Sequence, residues 1–208
     1  MTVVMVHGFL NTGRLLGPLC RALEARGHTC HAPTIRPTDG RAGIPDLSAK
    51  LASFIAANVA PDAPLALVGF SMGALAVRHY LQALGGAQRA KAFFSIAAPY
   101  RGSPNAYLYP GLGTRQMRPG SPFLESLDAG AAALRGIAVF TYRTPLDLMV
   151  LPSSGSRIRL AKDLVLWCPL HSLLPRDRHL GEHIANELAK LEPQAAHRFN
   201  ETRNDPVV

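Results

Sequence analysis

Leu65-Ala66-Leu67-Val68-Gly69-Phe70-Ser71-Met72-Gly73-Ala74-Leu75-Ala76-Val77-Arg78-His79-Tyr80 decides how this chain is read. Its first four residues are an unbroken apolar run, as expected of a short parallel strand buried on both faces. Gly69-Phe70-Ser71-Met72-Gly73 then fits G-x-S-x-G, and the residues after it favour a helix. Strand, tight turn and helix in that order describe a nucleophile elbow. The serine sits on a turn so tight that only glycine fits at its flanks, and its hydroxyl is held above the edge of a sheet. The pentapeptide alone is unspecific; the strand before it and the helix after it give it weight.

Upstream, the chain opens Thr2-Val3-Val4-Met5-Val6, another apolar strand, and runs into His7-Gly8-Phe9-Leu10. Taken alone, His7-Gly8 is an ordinary strand stop. Beside an elbow it marks a loop that gives one backbone N–H to an oxyanion hole, the second coming from the residue after the serine, Met72. Two such donors aimed at a developing oxyanion lower a barrier by roughly 3–4 kcal/mol each.

Downstream, the chemistry needs an acid and then a histidine, each on a loop beyond a strand. Gly136 to Tyr142 reads as a strand, followed by an apolar loop whose one acid is Asp147. Asp163 to Trp167 reads as the last strand, with His171 in the loop after it. The histidine must take the serine proton and return it; the aspartate must hold the imidazole in one tautomer. His179, at a helix start after Arg176-Asp177-Arg178, is the rival base. His179-Leu180-Gly181-Glu182-His183 also fits H-x-x-E-H, a zinc pattern. That reading requires a further acidic ligand well downstream, where only a short tail remains, so no metal is expected. His28, His31 and His79 read as structural or solvated. Cys20, Cys30 and Cys168 have no metal-ligand spacing and imply no disulfide framework.

Helix and strand signals alternate along the chain, as βαβ units require. Leu15, Leu16, Leu19 and Leu23 have helical spacing, with Gly27 as a stop. His28 to Thr34 predicts a short strand, Ile44 to Val59 a helix, Ala90 to Ala97 a strand and His179 to Leu191 a closing helix. One domain over residues 1–192 is expected, with a polar, frayed tail over 193–208. The irregular stretch from Pro99 to Pro122 follows the strand next to the elbow and should wall the acyl or alcohol pocket.

These segments together resemble a small bacterial lipase or esterase of the α/β-hydrolase superfamily, of the minimal kind with little or no lid. The resemblance runs from Val3 to about Leu191. It includes Ile96-Ala97-Ala98-Pro99-Tyr100-Arg101-Gly102-Ser103 and Gln116-Met117-Arg118-Pro119-Gly120-Ser121-Pro122-Phe123-Leu124, both similar to segments of those lipases. Asp147-Leu148-Met149-Val150 and His171-Ser172-Leu173-Leu174 match the acid and histidine motifs in type and spacing. Before the serine stands Phe70, where such lipases often carry His or Gln. The resemblance implies an α/β fold: a three-layer sandwich with a mostly parallel sheet of about six strands flanked by helices. It implies a triad of Ser71, Asp147 and His171, with Phe9 and Met72 as oxyanion donors. Leu10, Phe70, Tyr100, Tyr107 and Leu148 are the expected substrate contacts. The implied activity is cleavage of a small-molecule or lipid carboxylic ester through an acyl-enzyme, with no cofactor. An acyltransferase or thioesterase would use the same triad, and a catalytically silent binding protein the same fold.

The bulk composition agrees. A chain of 208 residues with 48% hydrophobic content can fill one sizeable core. No apolar stretch reaches membrane-spanning length, and the N-terminus lacks the basic and long apolar regions of a signal peptide. A cytoplasmic protein is expected, unless a presequence has been removed. The net charge of +8 is spread over scattered Lys and Arg without aromatic interleaving. That argues against nucleic-acid binding and leaves weak contact with anionic interfaces, without stable membrane insertion, as the expected consequence.

Overall fold

The computed structural model describes residues 1–191; the tail expected at 193–208 lies outside them. Six strands form one sheet: β1 (Thr2–Val6), β2 (Thr29–His31), β3 (Leu65–Phe70), β4 (Ala90–Ile96), β5 (Ala138–Arg143) and β6 (Lys162–Val165). Their spatial order is β2-β1-β3-β4-β5-β6, and every neighbouring pair is parallel. Parallel pairing forces each connection to cross over a face of the sheet; helices do this in all but the β5–β6 connection, which carries only a 3₁₀ turn at Ser153–Ser156, and a last helix follows β6. The helices are α1 (Gly17–Glu24), α2 (Ile44–Asn58), α3 (Met72–Ala83), α4 (Leu112–Gln116), α5 (Pro122–Ala129) and α6 (Arg178–Leu191).

The period-two alternation of a strand sorts the apolar residues into two cores. Val4, Val6, Leu65, Leu67, Phe93 and Val139 point to one face, where they meet Leu47, Leu51 and Ile55 of α2, Leu75 and Leu81 of α3, and Leu124 and Leu127 of α5. Val3, Met5, Ala66, Val68, Phe94 and Phe140 point to the other, against Leu19 and Leu23 of α1 and Leu180, Ile184 and Leu188 of α6. The result is a three-layer sandwich. Each fully buried Leu, Ile or Phe stabilises it by about 1.5–3 kcal/mol before entropic costs.

Elsewhere the elements depart from the sequence reading at their ends. The strand expected from His28 to Thr34 is shorter; Pro33 has no N–H to give a ladder, and β2 is an edge strand. The last strand stops at Val165 rather than Trp167. The Pro99–Pro122 stretch is not structureless. It holds a 3₁₀ turn at Pro104–Tyr107 and the short α4. Ser121 then caps α5, its hydroxyl accepting from Leu124 N at 3.3 Å.

All six strands end at one edge of the sheet. The loops after β1, β3, β4, β5 and β6 therefore converge there, where open parallel sheets carry their ligands.

Candidate active site

Ser71 stands between β3 and α3 with φ 53° and ψ −123°, a left-handed conformation that non-glycine residues rarely adopt. Such backbone costs on the order of 1–3 kcal/mol and persists only where its surroundings dictate it. Here they do. Ser71 N donates to Ile96 O of β4 at 2.8 Å, and Ser71 O accepts from Ala74 N at 3.0 Å. The flanking glycines are required by close approach. A Cβ on Gly69 would fall 2.3 Å from Ala74 Cα, and one on Gly73 2.4 Å from both Val6 O and His7 O. The first turn of α3 is thus pressed against the end of β1. Met72 N–H lies in that turn, where backbone amides have no acceptor within the helix and the helix dipole favours negative charge.

The loop after β1 is held from behind by His7. Its imidazole is buried, with Nδ1 2.9 Å from Gly8 O and Nε2 3.0 Å from Ile35 N. A carbonyl can only accept and a backbone N–H can only donate, so the ring carries its proton on Nδ1 and is neutral. Burial lowers its pKa in the same sense. Gly8 O also accepts from Asn11 N at 3.2 Å. Gly8 O and Phe9 N–H belong to one trans peptide and point in opposite directions. Holding the carbonyl therefore aims the Phe9 N–H away from His7. Leu10 N donates to Thr38 O at 2.8 Å, and Asn11 Nδ2 to Phe9 O at 2.8 Å, which tie the loop down further.

On the far side of the elbow, Asp147 is buried and its carboxylate is fully engaged. Oδ1 accepts from Met149 N at 2.8 Å and Val150 N at 3.0 Å, and Oδ2 lies 2.7 Å from His171 Nδ1. Thr144, also buried, joins the two loops by donating its hydroxyl to Cys168 O at 2.7 Å. The His171 ring packs on Phe70, the residue before the serine, with centroids 4.9 Å apart. The other candidate base is elsewhere: His179 lies on α6 with its side chain 83% exposed, facing Glu182. Among the described residues no group of His, Cys, Asp and Glu could hold a metal ion.

Beside Ser71 lies a narrow cleft of about 50 Å³, lined by Phe9, Tyr109, Met117, Met149 and Val150 among others. Its wall is the Pro99–Pro122 stretch, bolted to the acid loop. Ser103 donates to Met149 O at 2.6 Å, Asn105 Nδ2 to Leu148 O at 3.0 Å, and Tyr109 packs edge-on to Phe9 at 5.1 Å. The expected substrate contacts fall differently. Phe70 lies under His171. Leu148 is exposed and reaches the wall through its carbonyl. Leu10 lines a separate depression with Arg36 and Arg41. Tyr107 is exposed beneath Arg118, which stacks over its ring at 4.6 Å. Tyr100 belongs to the core: its hydroxyl pairs with Ser95 at 2.7 Å and Arg78 covers its ring. Sequence reasoning singled out His7-Gly8 as the mark of this loop but not the bonds by which the His7 ring holds it, and it missed Ser103, Asn105 and Tyr109. Only His7 carried a signal, as the polar residue at the end of an apolar strand.

The α/β-hydrolase family model matches residues 3–208, and the chain belongs to that family. No curated protein matches the sequence. Solved structures share the fold at low identity. The mature Bacillus licheniformis lipase BlEst2 is 14% identical with a TM-score of 0.70, over 92% of both chains. Aspergillus fumigatus lipase B is 15% identical with a TM-score of 0.78, over 90% of this chain and 52% of that one. A pyrethroid hydrolase from Sphingobium faniae is 17% identical with a TM-score of 0.59, over 91% of this chain and 96% of that one. No helix among the described residues is long and apolar enough to cross a membrane.

Proposed function

We propose that this hydrolase cleaves carboxylic esters through an acyl-enzyme, with Ser71 as nucleophile, His171 as base and Asp147 as the acid that orients it. The observation that carries the reading is the Asp147–His171 contact at 2.7 Å on the loops next to a strained elbow serine. His171 Nε2 takes the proton as Ser71 Oγ attacks the acyl carbonyl, and Asp147 steadies the imidazolium. The oxyanion is received by Phe9 N–H and by Met72 N–H at the start of α3. His171 then protonates the departing alcohol. Water attacks the acyl-enzyme with His171 again as base, releasing the acid and restoring the serine. This chemistry needs no cofactor.

The acyl group is expected to be short. The cleft beside Ser71 is narrow and walled by Phe9, Tyr109, Met117, Met149 and Val150, which suits a short chain better than a deeply buried fatty acyl group. The neighbouring lipases and pyrethroid hydrolase are compatible with ester chemistry. The test is labelling by a fluorophosphonate probe together with turnover of p-nitrophenyl esters of increasing chain length. Ser71→Ala should abolish both labelling and turnover. If a folded Ser71→Ala variant still takes the label, the assignment of the nucleophile fails.

A further inference from the structure

We propose that the loops at the C-terminal edge of the sheet form a docking surface for an anionic phospholipid bilayer, a partner beyond the ester itself. Large hydrophobic side chains stand in solvent on four separate loops there: Leu10 after β1, Leu108 after β4, Leu148 and Leu151 after β5, Trp167 and Leu170 after β6. Trp167 is 77% exposed, Leu108 75% and Leu148 71%. Leu84, Leu160 and Val165 are the only exposed large hydrophobics elsewhere among the described residues; Tyr107, Tyr109, Leu112, Leu146, Met149 and Leu173 also belong to this edge. The loops touch one another through Phe9–Tyr109, Asn105–Leu148 and Thr144–Cys168, so the exposed side chains stand on neighbouring loops around the cleft. Apolar surface gathered in this way at one edge marks an interaction site.

Charge selects the partner. These loops, together with the one after β2 that carries Arg36 and Arg41, hold the exposed Arg36, Arg41, Arg101, Arg115 and Arg176, of which Arg41 is paired with Asp39. Their three carboxylates are all engaged: Asp39 with Arg41, Asp147 with His171, and Asp177 accepting from Leu180 N. A second copy of this chain would bring arginines against arginines. An anionic bilayer answers both features at once. Trp, Tyr and Leu enter the boundary between headgroup and acyl chain, and the guanidinium groups meet lipid phosphates. Each arginine near such a surface strengthens binding by about fivefold at low salt, and salt screens the effect.

Trp167 is the only tryptophan in the chain, so this edge carries its own probe. Its emission is followed as Ser71→Ala protein is titrated with phosphatidylcholine vesicles, alone or mixed with phosphatidylglycerol. Wild-type protein with ether-linked versions of the same lipids serves as the second measurement. A blue shift is expected with the mixed vesicles, at least about tenfold weaker partition onto phosphatidylcholine alone, and release by high salt. Arg36→Gln combined with Arg176→Gln should weaken partition onto the mixed vesicles at least about tenfold while leaving turnover of a soluble acetate ester unchanged, and a double variant that partitions like wild type overturns the proposal. The proposal is overturned if no shift occurs, or if both vesicle types bind equally and salt has no effect. It is also overturned if the shift grows with protein concentration in the absence of lipid, which would make a second copy the occupant. The vesicle and fluorescence measurements that overturn the proposal need no turnover, so such a failure leaves the ester-hydrolysis reading standing.

Discussion

His171 Nδ1 lies 2.7 Å from Asp147 Oδ2, while the other oxygen of that carboxylate holds two backbone N–H groups of its own loop. The acid is therefore held by its own loop as well as by the histidine, and in the mechanism proposed above Nε2 is the imidazole's working nitrogen. Asp147→Asn should lower kcat by about 10⁴-fold with the fold intact, because an amide no longer selects the productive tautomer. His171→Ala should match Ser71→Ala, since the residues act as a unit. His179→Ala should leave the rate close to wild type. Steady-state turnover of a short p-nitrophenyl ester ranks all four, and a severe His179→Ala defect would move the base to α6.

His7 gives a pH dependence whose sign can be worked out. Its unfolded pKa is near 6.5, and burial lowers it in the folded protein. Between those two values the unfolded chain binds the extra proton and the native one does not, so stability falls as pH falls below about 6.5. Above that point the contribution is fully present. His79 and His183 are shifted in the same direction by burial, so the wild-type curve sums all three. His7→Asn, whose amide can still donate to Gly8 O, should flatten part of the acid-side decline in melting temperature. His7→Ala should lower kcat by about ten- to a hundredfold through a misaimed Phe9 N–H, less than outright loss of a donor. Melting curves and kcat measured from pH 5 to 8 check both, and unchanged acid-side curvature in His7→Asn would assign the effect to the other histidines.

Ser103 is expected to matter without touching the reacting atoms. Its hydroxyl holds Met149 O, and Met149 N holds Asp147 Oδ1. Ser103→Ala leaves that carbonyl short of a donor and should cost about 1–3 kcal/mol of stability. The acid loop would loosen with it, so kcat should fall while KM moves little. Chemical denaturation paired with steady-state kinetics reads the two effects separately.

Gly69→Ala and Gly73→Ala should both damage folding. The new methyl groups would overlap backbone atoms at 2.3 and 2.4 Å, which no side-chain rotation can relieve. A loss of about 1–3 kcal/mol or more is expected for each, as for overpacked cores. Gly85→Ala offers a contrast: it meets no atom within 4 Å and bears only the strain of its φ of +76°. Melting temperatures in the order wild type, Gly85→Ala, then the two elbow variants would support this account.

The parts of the site legible in the sequence were those encoded locally. Strand, G-x-S-x-G and helix are contiguous, so the elbow could be read from neighbouring residues. So could the apolar runs of β1 and β3, and Asp147 as the one acid of its loop. What was not legible depends on residues distant in the chain. His7 is defined by Ile35, 28 positions away, and by a backbone carbonyl, neither of which has a side-chain signature. Ser103 and Asn105 act on carbonyls 46 and 43 residues downstream. Between Pro99 and Pro122 there is no period to say which tyrosine faces inward. Tyr100 is buried in the core, Tyr107 is exposed and Tyr109 lines the cleft. The ends of β2 and β6 were misjudged for a related reason, since at the edges of a sheet pairing stops before hydrophobicity does.

The backbone angles of Ser71 also imply that this protein is less stable than its fold allows. Glycine at that position would relieve a conformation costing about 1–3 kcal/mol, against about 0.5–1 kcal/mol of added chain entropy. Alanine would keep the strain. An inert Ser71→Gly protein melting above both wild type and Ser71→Ala would show directly that natural selection has kept this turn for its chemistry at the expense of durability.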